Sequence, residues 1–347
     1  MKKSKQAMHT LLGLVLGLAL MLSAYSQPAS AKPIKLRYGL SFPRTHPFSK
    51  ATISWMDKIE KDSGGQLQIE PYWSGALVNP RQSYIELTKG VADIADYTGS
   101  YVKEGFHIEK AMRLLFYGVP PNSVLAYRVY NELRAKYPQI DAEFSQAKVL
   151  AKFSMSSYHM LTRKKPVRTI GDFKGITVKT SGDFSHFIKG LGGEGARVPM
   201  SETYMALRKG TIDGALASYE GLKSWKFAEV VKYVTILDMS TWPSGHVSMN
   251  MDTWNKLPSD MKKVLEDNIS YYSQICAEEN AKADRLGLEY ANQKGVEFIE
   301  LSQEDLIKAY KVVEAVVAKA AERIDSMGLP GTAIYKDARR LIDEYTK

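Results

Sequence analysis

From residue 34 onward the chain alternates short runs of strand periodicity with longer stretches of helical periodicity, and few architectures accommodate that order. Residues 34–40 alternate like a first strand. Residues 46–63 carry Phe48, Ala51, Ile53, Trp55, Met56 and Ile59 at helical spacing and end in Gly64-Gly65, a helix stop followed by a turn. A second strand is predicted at 67–72, a short helix at 82–90 and a third strand at 92–97. The pattern restarts near residue 149. Strands are predicted at 148–155 and 176–180, with a turn or short helix at 170–174 between them, then helices at 184–191 and 203–209 and a strand at 212–217. Two α/β units in tandem predict an α/β chain of two similar lobes facing each other, with a ligand site in the cleft between them.

The C-terminal third is helical in pattern. Residues 259–294 contain no proline and repeat apolar residues at three- and four-residue steps. As one straight helix they would span about 54 Å, more than one small domain. They are therefore expected to run along both lobes, with a kink near Gly287. Further helices are expected at 304–327 and 332–344. Lobe I is assigned residues 32–155 with 241–283, and lobe II residues 156–240 with 284–347.

The first 31 residues read differently. Lys2, Lys3 and Lys5 precede an apolar run at 11–24, and Ala29-Ser30-Ala31 follows. Basic, apolar and small-residue segments in that order form a secretory signal pattern, with cleavage expected after Ala31. The apolar run is shorter than the about 20 residues a membrane span needs. No cysteine follows it to accept a lipid, so a free periplasmic chain starting at Lys32 is expected. The single cysteine, Cys276, lies among Tyr271, Tyr272 and Ile275 at helical spacing and reads as a packed small hydrophobe.

The formal charge is +9, and +6 without the three leading lysines. Lysine and arginine are spread along the chain without aromatic-interleaved basic blocks, which argues against a nucleic-acid partner. The densest cluster is Arg163-Lys164-Lys165 with Arg168, either a solvated loop or a local positive field for anions.

Enzyme signatures are weak. Gly190, Gly192 and Gly195 match G-x-G-x-x-G, but they follow a helical run, whereas a dinucleotide fingerprint follows a strand and opens a helix. Ser145 to Lys148 matches S-x-x-K without the K-T-G or S-D-N that would accompany it. His46, His107, His159, His186 and His246 show no metal-ligand spacing. The expectation is a binding protein, not an enzyme, with no cofactor and no metal.

The sharpest motif is Pro199-Met200-Ser201-Glu202-Thr203-Tyr204-Met205-Ala206-Leu207-Arg208-Lys209-Gly210-Thr211-Ile212-Asp213-Gly214. It resembles the signature S-E-x-Y-x-A-L-x-x-G-x-(I/V)-D-G of the periplasmic solute receptors of TRAP transporters, the DctP family. Physically, Ser201 can cap a helix that Gly210 ends. Lys165-Pro166-Val167 with Asp172-Phe173-Lys174-Gly175-Ile176 resembles the family's K-P-(I/V)…D-(L/F/M)-K-G-(L/I/M) stretch. Leu36-Arg37-Tyr38-Gly39 with His46-Pro47 matches its N-terminal pattern, and 247–258, with Asn250, Trp254, Leu257 and Pro258, resembles the segment feeding the long helix.

The resemblance implies hinge strands between two α/β domains, a domain-spanning helix, capture of a small organic acid by closure, and membrane subunits as partners. It also implies site residues. Lys179 stands where the family usually places an arginine that grips the ligand carboxylate; lysine keeps the charge and loses the fork. Ala217 stands where an asparagine is frequent, which leaves Ser218 or Tyr219 to serve. Asp96, Tyr97, Thr98 and Tyr101 align with contacts from the first lobe, with Trp73 and His159 nearby and Arg163 as a further cation. Asp96 beside Lys179 would suit a zwitterion or hydroxy acid. A sensor subunit for the same ligands, or an exported α/β enzyme, are the rival readings.

Overall fold

The computed structural model describes residues 32–99, 102, 105–117, 123–180, 184–239 and 245–346. Two sheets form two lobes. In the first, β1 (Ile34–Gly39), β2 (Leu67–Tyr72) and β3 (Ile94–Thr98) run parallel, and β10 (Gly245–Asn250) lies antiparallel between β3 and β4 (Ala147–Phe153), in the order β2-β1-β3-β10-β4. The second joins β5 (Tyr158–Thr162), β6 (Thr177–Lys179), β7 (Glu194–Ala196), β8 (Gly214–Ala217), β9 (Tyr233–Met239) and β11 (Glu297–Glu300) in the order β11-β9-β5-β8-β6-β7. The chain crosses between lobes from Phe153 to Tyr158 and from Met239 to Gly245. In the first sheet these crossovers meet the edge where β1, β2 and β3 end, and in the second the edge where β6 and β8 end. The carboxyl ends of the parallel strands therefore face each other across the cleft, where α/β folds bind ligands.

Local chemistry accounts for the early elements. The helix Pro47–Asp62 starts on proline, buries Phe48, Ala51, Trp55 and Ile59, and ends before Gly64 and Gly65, both at positive φ. The helix Met200–Lys209 ends at Gly210 with φ 77°. Its start differs from expectation: Pro199 holds the cap position, Ser201 lies inside the first turn, and the Thr203 hydroxyl donates to the Pro199 carbonyl at 2.9 Å. Gly190 closes the helix Phe184–Gly190, Gly192 turns at φ 90° and Gly195 enters β7, so the glycine motif is a helix stop.

The long C-terminal stretch is two helices. Ser259–Asp267 breaks at Asn268, whose amide caps it by bonding the Val264 carbonyl, and Ile269–Gln293 follows. Gly287 lies inside the second helix, buried against the backbone of Tyr219, where a Cβ would collide with the Tyr219 carbonyl oxygen. At its start this helix buries Tyr272 and Cys276 in the core of the first lobe, and near its end Ala291 in a core of the second. Burial pushes the Cys276 thiol up to about 12, so it is packed and inert. The largest core cluster joins Ile108, Val129 and Leu133 to Met160, Val178 and Leu216 of the second sheet and to Val313, Val317 and Leu341 near the C-terminus. No described helix is long and apolar enough to cross a membrane.

Candidate functional site

Three elements converge on the cleft: the edge of the second sheet, the loop after β1, and the helix Ile269–Gln293. Lys179 ends β6, opposite Ala196 on one neighbouring strand and Ala215 on the other. Only 5% of it is exposed, and no described residue bonds to or pairs with its ammonium. His159 lies opposite Ala217, and its ring stacks on Tyr219 with centroids 3.8 Å apart and planes 11° apart. Burial lowers its pKa to about 3, so the ring is neutral, with Nδ1 3.9 Å from the Asp238 carboxylate. Burial also raises the Tyr219 phenol. The stacked pair forms a stiff, uncharged wall beside Lys179's strand.

Ser218 is buried, with its hydroxyl 3.4 Å from Oε1 of Glu220. Glu220 opens the short helix Glu220–Ser224, donates its backbone N–H to Asp284 Oδ1 at 2.8 Å, and accepts a bond from the Ser224 hydroxyl. Burial, helped by the charge of Asp284, pushes the Glu220 carboxyl up to about 7. Across the cleft stands His46, which accepts the Phe48 N–H at Nδ1 (3.3 Å) and so caps the helix Pro47–Asp62. That bond places the imidazole proton on Nε2, which faces Glu220 Oε1 at 3.9 Å. Phe42 stacks on His46 at 4.3 Å, and Trp225 of the second lobe lies 6.2 Å from it. Burial lowers His46 to about 3.

The first-lobe candidates divide. Thr98, half-buried, ends β3 opposite Gly245 at the cleft edge, and Trp73, half-buried, follows β2 at the same edge. Asp96 is buried, with Oδ1 accepting both the backbone N–H and the hydroxyl of Ser41 at 2.8 Å each. Burial raises it to about 6 against those bonds. It anchors the loop leading to His46 and makes no ion pair with Lys179. Tyr97 points to the opposite face, its hydroxyl 2.9 Å from Ser248 and its ring stacked on His246 at 5.2 Å. Tyr101 lies outside the described residues. Arg163 sits at the far end of the second sheet, its backbone N–H on Asp213 O (3.0 Å) and its guanidinium against Gly210.

The structure thus gathers Lys179, His159, Ser218 and Tyr219 on one edge, faces them with Thr98 and Trp73, and leaves Asp96, Tyr97 and Arg163 elsewhere. Sequence reasoning missed Glu220, Asp284, Ser41 and the cleft role of His46. His46-Pro47 ahead of a helix was a visible signal, but no spacing relates residues 46, 220 and 284.

The model of the DctP family, described as bacterial extracellular solute-binding protein, family 7, matches residues 38–323. The C4-dicarboxylate-binding periplasmic protein DctP of Rhodobacter capsulatus is 23% identical over 328 residues, covering 90% of this chain and 94% of that protein. A TRAP periplasmic solute-binding protein of Desulfovibrio salexigens, solved as an open complex, is 28% identical with a TM-score of 0.77, covering 90% of this chain and 96% of that one. A TRAP solute-binding protein of Rhodoferax ferrireducens, solved with copurified benzoate, aligns with a TM-score of 0.80 at 22% identity, over 90% and 98% of the two chains. A family match across most of the sequence, on a two-lobed fold whose strand ends face one cleft, places this chain in the DctP family of bacterial extracellular solute-binding proteins.

Proposed function

We propose that the chain is the periplasmic receptor of a TRAP-type transporter, capturing a small organic anion by closure of the two lobes and presenting it to the membrane subunits. The observation that carries this reading is Lys179. An ammonium buried among alanines with no partner among the described residues is costly, and an anionic ligand supplies the missing charge. The relatives named for a C4-dicarboxylate and solved with benzoate support a carboxylate, with sulfonates and zwitterions as variants. The stacked His159–Tyr219 wall and the indole of Trp73 favour a flat or apolar body behind the anionic group.

Closure moves lobe I, assigned residues 32–155 with 241–283, against lobe II, residues 156–240 with 284–347, with the segment around Ile108, Val129 and Leu133 travelling with lobe II because it shares that lobe's core. Export removes residues 1–31 and leaves Lys32 as the mature N-terminus, which N-terminal sequencing of periplasmic material checks. The receptor reading is tested with protein purified without refolding. Native mass spectrometry looks for a copurified acid, and a melting screen covers mono- and dicarboxylates, sulfonates and zwitterions. A true ligand at 100 times its dissociation constant adds about 2.7 kcal/mol and is recovered unchanged. A screen that leaves the melting curve unmoved overturns the receptor reading, and chemical turnover of a bound acid replaces it with an enzyme.

A further inference from the structure

The positive charge of this chain has an address that ligand capture does not explain. Opposite its cleft edge, the second sheet ends in a row held by backbone hydrogen bonds. Glu297 N–H donates to Lys232 O (2.9 Å), Lys232 N–H to Thr162 O (2.9 Å), Arg163 N–H to Asp213 O (3.0 Å) and Asp213 N–H to Thr177 O (2.8 Å). Turns and helix ends leaving this row carry Arg163, Lys164, Lys165, Lys174, Lys209 and Lys232, all exposed except the half-buried Arg163. Among the acids on this edge Glu194, opposite Thr177, is exposed, and the others are already engaged. Glu297 pairs with Arg168 at 2.6 Å, Asp213 Oδ2 accepts the Thr177 N–H at 2.8 Å, and Asp172 accepts the Arg168 and Thr169 N–H groups at 3.1 and 2.9 Å. Among the described residues no ion pair engages the six cations, and Lys165 Nζ donates to the Asp172 carbonyl at 2.9 Å. The cluster therefore cannot steer an anion into the cleft, because it lies at the other end of the strands from Lys179.

We infer that this distal edge of the second lobe is a docking surface for an anionic phospholipid membrane. The cations project from strand ends and turns of one sheet edge, a common platform that suits a plane of headgroups. Five of the six are lysines, point charges on flexible stems, whereas protein interfaces are depleted in lysine and anchored by aromatic side chains. The exposed large apolar side chains Val91, Ile307 and Met327 lie on other elements, and Met205 alone sits within a turn of Lys209. Basic residues close to an anionic bilayer each add attraction that decays within a Debye length, so binding is reversible and salt-sensitive. Such adsorption would hold the receptor near the membrane while its cleft stays open to solvent. It requires no identified ligand.

The test is co-sedimentation of the full exported chain with vesicles of phosphatidylcholine alone or with phosphatidylglycerol added. The comparison variants are a distal set, Lys164→Gln, Lys174→Gln, Lys209→Gln and Lys232→Gln, and a first-lobe set of equal charge loss, Lys50→Gln, Lys61→Gln, Lys89→Gln and Lys256→Gln. The wild type and the first-lobe set should bind the anionic vesicles at low salt and release at high salt, and the distal set should partition at least about tenfold less. Equal loss in both sets reduces the effect to net charge and overturns the proposal. Absence of binding to anionic vesicles overturns it too, and leaves an acidic protein face as the remaining partner for the patch. Ligand-induced melting shifts are read on the same variants and should be unchanged, so a failed vesicle experiment and a failed receptor reading are told apart.

Discussion

Among the described residues, two histidine–carboxylate pairs are buried on both sides, and they are built to different tolerances. In the first lobe, Tyr97, His246 and Lys152 lie directly opposite one another on three adjacent strands, and Glu109 meets His246 Nε2 at 2.6 Å. Glu109 also accepts the Gly99 N–H at 2.9 Å, while the Lys152 ammonium lies 4.2 Å from the Tyr130 ring centroid and 4.4 Å from that of Phe144. Burial lowers His246, and pushes Lys152 down to about 7. Between the lobes, His46 and Glu220 are as well buried but 3.9 Å apart. The first pair joins a strand residue to Glu109 of the short helix packed on it, His107–Met112, whereas the second spans two bodies joined by crossovers and one long helix. The pair inside the packing of one sheet and its helix is hydrogen-bonded, and the pair between the lobes is left one step short of a hydrogen bond.

The largest expected effect tests that difference directly. His246→Ala leaves Glu109 buried without its partner beside a cavity, and should cost about 3–5 kcal/mol. His46→Ala loses a helix cap and a long contact, and should cost roughly 1 kcal/mol. Urea unfolding of both variants reads the gap. Equal costs would break the distinction between fixed and movable pairs.

The second test is the pH dependence of the interlobe pair. Folding raises the Glu220 carboxyl from 4.5 to about 7, so the folded state holds the proton more tightly. The stability this contributes is fully present below pH 4.5 and is lost as pH rises through 7, a change of roughly 3 kcal/mol. His46 works in the opposite sense: lowered from 6.5 to about 3, it costs stability as pH falls below 6.5. Because both groups act, the informative quantity is the stability of wild type minus Glu220→Gln. That difference should fall as pH rises from 4.5 to 8. A flat difference would mean that Glu220 titrates normally and that the cleft wall is wetter than its burial implies.

What the sequence reveals follows the same division. Elements set by local chemistry were legible: proline and glycine bound the helix Pro47–Asp62, and Gly210 ends the motif helix. Lys179, Ser218 and Tyr219 were picked out by the family resemblance and His159 by looser alignment, and β5, β6 and β8 bring the four to one edge. Illegible was which way a strand residue faces. Asp96 and Tyr97 are neighbours on β3, yet one holds the Ser41 loop and the other stacks on His246. Arg163 was misjudged for a related reason: β5 runs antiparallel, so four residues beyond His159 the chain is at the far end of the sheet. The break at Asn268 carried no glycine or proline to announce it, and Gly287 serves close packing against Tyr219.

The third test moves to ligand affinity. Lys179→Ala removes a charged hydrogen bond to the bound anion, and should cost about 1.5–3 kcal/mol, roughly 10- to 150-fold in affinity. Lys179→Arg keeps the charge with a longer planar head, and should recover binding only in part. The ligand-free melting point should be unchanged or higher in Lys179→Ala, because no partner among the described residues is orphaned. Calorimetry with the acid found in the melting screen measures the affinity. Binding as tight as wild type in Lys179→Ala would place the anchor elsewhere and remove the anion claim.

The smallest effect compares a hydroxyl beside each pair. Ser248 is the partner of the Tyr97 hydroxyl at 2.9 Å, inside the packed face that carries His246. Ser248→Ala leaves that phenol buried and unbonded, and should cost about 1 kcal/mol in ligand-free protein. Ser218 lies 3.4 Å from Glu220, a long contact to a carboxyl that the Ser224 hydroxyl already satisfies. Ser218→Ala should therefore change ligand-free stability by less than about 0.5 kcal/mol. If Ser218 meets the ligand on closure, the same variant should weaken binding measurably while Ser248→Ala leaves affinity alone. Ligand-free unfolding and calorimetry on both variants give two readings that must cross over. Parallel losses in both would mean that the wall of the cleft is as rigidly built as the interior of the first lobe.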